Sequence, residues 1–353
     1  MNRRKTKKIM VGTVPVGGFY DISIQSMLKK PTEDIRGNIK QAAQLKKAGC
    51  AILRLAIPDL NSVKLIESIK NEVDIPLVAD IHFDYKLALE AISAGIDKIR
   101  INPGNIGDKS HVREIVNACI NKKVPIRVGV NGGSLSKEIY RKYGSPSAEA
   151  MCESALEKIK LLNDFDFDNI VVSVKSSDVR TTIYAYEILS QKCNYPLHLG
   201  VTEAGAMPQG LVKSVCGIGS LLAHGIGDTI RVTLTDDPLE EISTANNLLS
   251  ALGIKSNGID IISCPSCGRT KVNIIELVSK VKEYFKNYNG KNLKLAIMGC
   301  AVNGPREARE ADLGVAFGRN EGVIFKKGKI LKKINSEHIL KELIKEVKNY
   351  NSI

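Results

Sequence analysis

A chain of 353 residues, 43% hydrophobic and 25% charged, has the balance of a water-soluble globular protein and the length of one large α/β domain plus a smaller one. The basic N-terminus is followed by an apolar stretch, Ile9 to Gly12, far too short for the core of an export signal, and no later run can span a bilayer; the chain is expected to be cytoplasmic, with no membrane partner. The formal net charge of +13 invites a nucleic-acid reading, but Trp is absent and aromatic residues are 5%, which leaves few base-stacking platforms, and no nucleic-acid partner is expected.

Over the first two thirds of the chain one pattern repeats. A short β-branched run ends in polar or Gly residues, and a stretch of helical period follows before the next run. The runs are Ile22 to Met27, Ala51 to Ile57, Leu77 to His82, Lys98 to Asn102, Pro125 to Asn131, Asn169 to Lys175, Leu197 to Glu203 and Thr229 to Thr235. Eight such units predict an α/β fold of the closed (β/α)8 TIM-barrel type. The helices carry start signals such as Thr32-Glu33-Asp34 and Asp236-Asp237-Pro238 and end near Gly49, Gly95 and Gly253. An open doubly wound sheet competes, but no G-x-G-x-x-G follows the first run.

The strand ends carry the chemistry. Alternation along Ile126 to Asn131 places Arg127, Gly129 and Asn131 on one face. The same device recurs with Arg100 and Asn102, Ser173 and Lys175, Asp80 and His82, and Arg231 with Thr233 and Thr235, while Arg54 lies on the second run. Cations converging on one barrel mouth make an anion site, because guanidinium groups bind phosphate oxygens bidentately and lysine adds a point charge. One such Arg is as well explained by an ion pair; four or more are not. Asn102 to Gly107 can add backbone N–H donors or be an ordinary turn. Glu203 closes the seventh run, where a carboxylate can exchange a proton with a hydroxyl or neutralise an Arg. His82 and His198 reach the mouth if the register allows, though a hydrogen-bonded structural histidine is the simpler reading of each.

The pattern changes at about Gly258, which predicts a barrel over 1–257 and a smaller α+β domain over 258–353. In the second, an apolar run ends at Cys264-Pro265-Ser266-Cys267-Gly268-Arg269, a helix follows, and Leu293 to Met298 ends at Gly299-Cys300. A possible short helix over Glu307 to Asp312, a strand over Leu313 to Phe317, a basic hairpin and an amphipathic helix from Ser336 complete it. Three soft ligands on two loops suit an iron-sulfur cluster; a closed structural zinc site wants a fourth Cys or His at matching spacing. Zinc remains the rival, either beneath a phosphosugar- or pterin-binding barrel or as a knuckle in a nucleic-acid-binding protein. The other five of the eight cysteines, Cys50, Cys119, Cys152, Cys193 and Cys216, read as core fillers.

Taken in order, Gln25-Ser26-Met27, Ala79-Asp80-Ile81-His82-Phe83, Arg100 to Gly107, Arg127 to Asn131, Thr202-Glu203-Ala204-Gly205, Gly227 to Val232, Cys264 to Arg269 and Gly299 to Gly304 resemble the 4-hydroxy-3-methylbut-2-en-1-yl diphosphate synthase family in its bacterial two-domain form. The resemblance runs from about Ile9 to the last helix. It implies two-electron reductive opening of 2-C-methyl-D-erythritol 2,4-cyclodiphosphate, with loss of water, on a [4Fe-4S] cluster in isoprenoid biosynthesis. It implies Cys264, Cys267 and Cys300 as cluster ligands with Glu307 as the fourth, a carboxylate being a hard and exchangeable ligand for iron. It assigns the diphosphate to Arg54, Arg100, Arg127, Asn131 and Lys175, with Arg269 from the cluster loop, and makes Glu203 a proton donor or orienter. A homodimer and a flavodoxin or ferredoxin donor are implied as well. The chain departs from the family at Arg306, where a small residue is common, and at Leu28, where Thr is usual.

Overall fold

Eight short runs rich in Val and Ile cannot bury their apolar faces singly, and here they pair side by side in parallel and close. The structure, a computed structural model, describes residues 2–256, 258–286, 288, 290–300, 304 and 308–352. The chain divides into two units, Met1–Lys255 and Ser256–Ile353.

The first unit opens with a hairpin that the sequence pattern did not predict, β1 (Ile9–Val11) and β2 (Val14–Val16). The barrel strands follow: β3 (Ser23–Met27), β4 (Ile52–Ala56), β5 (Leu77–Asp80), β6 (Lys98–Ile101), β7 (Ile126–Asn131), β8 (Ile170–Lys175), β9 (His198–Leu199) and β10 (Thr229–Ile230). They form one sheet in the order β8-β7-β6-β5-β4-β3-β10-β9, and a parallel bridge between Val172 and Leu197 joins β8 to the start of β9 and closes the ring. Helices cross between successive strands, begun by side-chain caps from Asp34, Asp84, Asp108, Asp178 and Asp237. Gly49, Gly95 and Gly253 end helices at positive φ.

The last two barrel strands are shorter than the runs Leu197 to Glu203 and Thr229 to Thr235 predict. Beyond Leu199 the chain passes close over its neighbour: a Cβ on Gly200 would stand 2.7 Å from the Arg231 carbonyl oxygen. Cys216 departs from the core-filler reading, because it lies on the exposed face of helix Gln209–Ala223, opposite Ser214, Gly217 and Ile218. Cys193 is only half-buried.

The second unit is a five-stranded sheet, β11 (Ile259–Ser263), β12 (Leu293–Met298), β13 (Leu313–Phe317), β14 (Glu321–Lys326) and β15 (Lys329–Asn335), in that spatial order. The first three strands run parallel and the last two antiparallel. Leu293, Leu295 and Ile297 turn one face to Ile274 and Val281 of one helix and to Leu343 and Val347 of the last, while Ala296 and Met298 pack on the other face with Ala308, Ala311 and Phe325. Each unit thus has its own core.

Candidate functional site

In the barrel wall, period-2 alternation sorts side chains strictly. Leu53, Leu55, Ile99, Ile101, Ile126, Val128 and Val130 belong to the outer core under the helices. Their alternates Arg54, Lys98, Arg100, Arg127 and Asn131 therefore face the lumen, as do Ser173 and Lys175 on β8. Register brings Asp80 beside Arg100, Arg100 beside Arg127, and Asn131 beside Lys175. The floor is apolar: Ile52 and Val78 pack on Val11 and Val16 of the first hairpin.

Asp80 organises part of this ring. Its carboxylate accepts from Arg54 Nη2 and, at 3.2 Å, from Arg100 Nη1. Burial alone would raise its pKa, but Arg54, His82 and Arg100 outweigh burial and hold it far below the usual carboxylate range. Arg100 Nη1 also lies 2.8 Å from His82 Nε2. The same ring nitrogen stands 3.4 Å from Asp80 Oδ2. His82 and Phe83 line a cleft of about 290 Å³ with Ala56, Ile57, Pro58 and Asp80 at the ends of β4 and β5. Asp80→Asn leaves two buried guanidiniums facing one another and is expected to cost about 3 kcal/mol in a denaturant titration. The folded-state pKa lies below the unfolded one, so the carboxylate's contribution is complete at neutral pH and is lost only in strong acid. The loss should therefore be equal at about pH 6 and pH 8, and a gap under about 1 kcal/mol would deny Asp80 this role.

The remaining cations lack such a partner. Arg127 is 2% exposed; its Nη1 donates to Gln25 Oε1 at 3.1 Å, and its Nε has no acceptor among the described residues. Burial first, then Arg54 and Arg100, push its pKa well down. Burial followed by Arg127, Arg231, Arg54 and Arg100 does the same to Lys175. Arg231 is brought to about 10, chiefly by burial and then by Arg54. Glu241 is the carboxylate that acts most on Arg231, ahead of Asp80, but Lys29 holds it at 2.9 Å and Ser26 Oγ donates to it at 3.2 Å. Glycines make the room: a Cβ on Gly129 would stand 2.7 Å from Arg100 Nε, and one on Gly200 would collide with Lys175 Nζ. The arrangement is a pocket of excess positive charge, suited to an anion carrying more than one negative charge.

Several residues expected at the site sit differently. Glu203 is exposed, in the left-handed region at φ 51°, and makes no ion pair among the described residues. Asn102 closes a turn, its Oδ1 accepting from Gly104 N–H at 3.2 Å. Asn131 is half-buried and caps the turn Gly132–Ser134. His198 is buried as a histidine of the core would be, yet neither ring nitrogen has a partner among the described residues. Gln25 stood only in a motif, and Lys98 and Glu241 were not singled out as site residues; the same two-residue step that marks Arg100 also marks Lys98.

In the second unit β11 and β12 are parallel neighbours, Ser263 opposite Ile297, so the loops bearing Cys264, Cys267 and Cys300 leave the same end of the sheet. The loops touch: Gly299 N–H donates to Cys264 Sγ at 3.3 Å, and Lys271 N–H to the Gly299 carbonyl at 2.9 Å. Cys264 is half-buried, Cys267 exposed and Cys300 buried. Thr270 Oγ1 accepts from Cys267 N–H at 3.1 Å, and Arg269 beside it is exposed. Among the described residues no three His, Cys, Asp or Glu form a closed metal set. Glu307 and Arg306 lie outside the described residues. Soft donors on adjoining loops, one already accepting a backbone N–H through sulfur, fit an iron-sulfur cluster.

Residues 6–246 match the family description GcpE TIM-barrel domain, and residues 260–349 match GcpE protein C-terminal domain. A relative from Clostridium perfringens, named 4-hydroxy-3-methylbut-2-en-1-yl diphosphate synthase (flavodoxin), is 54% identical over 98% of this chain and 99% of its own length. Relatives of the same name from Caldicellulosiruptor saccharolyticus and Bacillus cytotoxicus are 54% and 48% identical, covering 97% and 98% of this chain and 98% and 94% of their own. Among solved structures, a dihydropteroate synthase from Xanthomonas albilineans superposes with TM-score 0.51 at 12% identity over 70% of this chain and 98% of its own, a likeness of barrel fold alone. With both of its units matched, and relatives near half identity over almost its whole length, the chain belongs to the GcpE family.

Proposed function

We propose that this chain is an iron-sulfur oxidoreductase of isoprenoid biosynthesis that converts 2-C-methyl-D-erythritol 2,4-cyclodiphosphate, two electrons and protons into 4-hydroxy-3-methylbut-2-enyl diphosphate and water. The observation that carries the reading is the cationic lumen, in which Arg54, Arg100, Arg127, Lys175 and Arg231 face one ion-paired carboxylate. Such a pocket suits two linked phosphoryl groups. Arg54 and Arg100, held by Asp80, are preorganised before substrate arrives, while Arg127 and Lys175 have no carboxylate partner among the described residues. Asn131 adds an amide at the rim. Glu203 holds or delivers a proton at the substrate hydroxyl, and Arg269 contributes charge from the cysteine loop.

Cys264, Cys267, Cys300 and Glu307 would hold a [4Fe-4S] cluster, which supplies the electrons one at a time. A homodimer and a cytoplasmic setting complete the reading. No helix among the described residues is long and apolar enough to cross a membrane. Anaerobic assay with the cyclic diphosphate and a chemical reductant tests the function. Brown protein with about four irons per chain and product formation are expected; a colourless zinc protein without turnover rejects it.

The electron donor is a flavodoxin or ferredoxin, and the basic edge strand β15 is its docking surface. Lys332 is taken by Glu342 and Glu346, each at 2.7 Å. Lys327, Lys329 and Lys333 remain exposed beside exposed Ile330 and Leu331. Reversing Lys329 and Lys333 to Glu should slow reduction by the acidic donor about tenfold at low salt, with the difference fading as salt rises. Equal rates at all salt concentrations would remove the hairpin from the docking surface.

A further inference from the structure

Lys98 is the deepest cation of the lumen. It precedes Arg100 by two residues on β6, so its side chain enters on the same face, roughly 7 Å nearer the N-terminal end of the barrel. It is fully buried, and its Nζ has no hydrogen-bond partner among the described residues. Val78 lies beside it in register, and Val11 and Val16 seal the floor under Ile52 and Val78.

Every barrel strand presents a polar or charged group to this interior: Gln25 from β3, Arg54 from β4, Asp80 from β5, Arg100 from β6, Arg127 from β7 and Lys175 from β8. His198 comes from β9, and Thr229 from β10 with Arg231 just beyond it. Asp80 is shared by Arg54 and Arg100, and Glu241 is held by Lys29, so an ammonium at Lys98 has no carboxylate of its own. Gln25 Nε2, Thr229 Oγ1 and both ring nitrogens of His198 are likewise without partners among the described residues.

We propose that Lys98 couples substrate binding to a proton: the cyclic diphosphate enters the lumen together with one proton, and Lys98 takes it up. An ammonium buried here without an acceptor is disfavoured, and burial, then the charges of Arg127 and Arg54, push the Lys98 amine well below its usual range. Two negative charges brought in above it offset part of that positive field and favour the ammonium. The substrate cannot be the titrating partner. Each of its phosphorus atoms is bonded to one ester oxygen and one bridging anhydride oxygen and carries one strongly acidic oxygen, so its charge is fixed at neutral pH. Because the complex holds more protons than the free enzyme, affinity must fall as pH rises through the window between the unliganded and liganded pKa, by about tenfold per unit where one proton is taken up.

This inference rests on reading the lumen as the diphosphate site, and the test separates the two. The anaerobic holoenzyme, without reductant, is titrated calorimetrically with the cyclic diphosphate in buffers of different ionisation enthalpy. About one proton taken up per substrate bound is expected of the parent, and less than half of that in Lys98→Met. The methionine variant should bind with a flatter pH dependence and melt no lower than the parent, since it removes a buried amine without a partner. Binding without proton uptake in the parent, a measurement that needs no variant, overturns the proposal and leaves the diphosphate site standing; so does uptake retained in Lys98→Met and lost in His198→Gln or Lys175→Met. Absence of binding overturns both.

Discussion

Replacing Arg127 with methionine should weaken binding of the cyclic diphosphate by about 10²- to 10⁴-fold while iron content stays at the parent level. The side chain is 2% exposed, held by a single hydrogen bond to Gln25, and faces Arg54 and Arg100 without a carboxylate of its own. In the unliganded barrel the guanidinium is therefore a cost. With a dianion present it becomes one half of a buried charge pair, and deleting one partner of such a pair typically costs about 3–5 kcal/mol. Methionine fills similar volume without charge, so unliganded stability should hold or rise, and a thermal melt checks that the fold survives. Calorimetric affinity within about threefold of the parent would place the diphosphate elsewhere.

The barrel and its cation ring were legible because both obey short-range rules. Runs of Val and Ile at strand length, Asp at helix starts and Gly at helix ends predicted alternation of strand and helix, and the period of two predicted which arginines would share a face. What escaped depends on distance in the chain. The pairing of Arg54 and Arg100 on Asp80 follows from the register of three separate strands. Glu241 reaches Ser26 across more than two hundred residues. The run Leu197 to Glu203 looked like one strand that would bring Glu203 beside the ring, yet its strand ends at Leu199, and the chain then turns so that Glu203 is exposed. Just past the strand Gly200 passes close over the Arg231 backbone, which no local pattern reveals. Likewise C-x-x-C spacing marked Cys264 and Cys267. Contact between their loop and Gly299-Cys300 required β11 and β12 to be neighbours, although a whole helix separates them in the chain.

Cys264→Ala should produce the opposite dissociation: iron falling from about four per chain to well below one, loss of the brown colour, and turnover reduced at least about 100-fold. Affinity for the cyclic diphosphate should stay within about tenfold of the parent, because charge-assisted bonds from the barrel supply most of the grip. The separation is expected on physical grounds. The thiol sits at the end of β11 against Gly299, in a unit whose core of Leu295, Ile297, Val281 and Leu343 does not include the lumen cations, and those cations hang on strands whose outer faces pack within the first unit. Cys264 is half-buried, so alanine in its place should cost the small unit only about 1 kcal/mol, too little to unfold it. Iron measured per chain, the visible spectrum and calorimetric binding on the same anaerobic preparation decide the matter. Full iron with undiminished turnover would remove Cys264 from the ligand set. Lost iron accompanied by lost diphosphate affinity, in a protein that still melts cooperatively, would mean that the cationic lumen does not hold the substrate by itself.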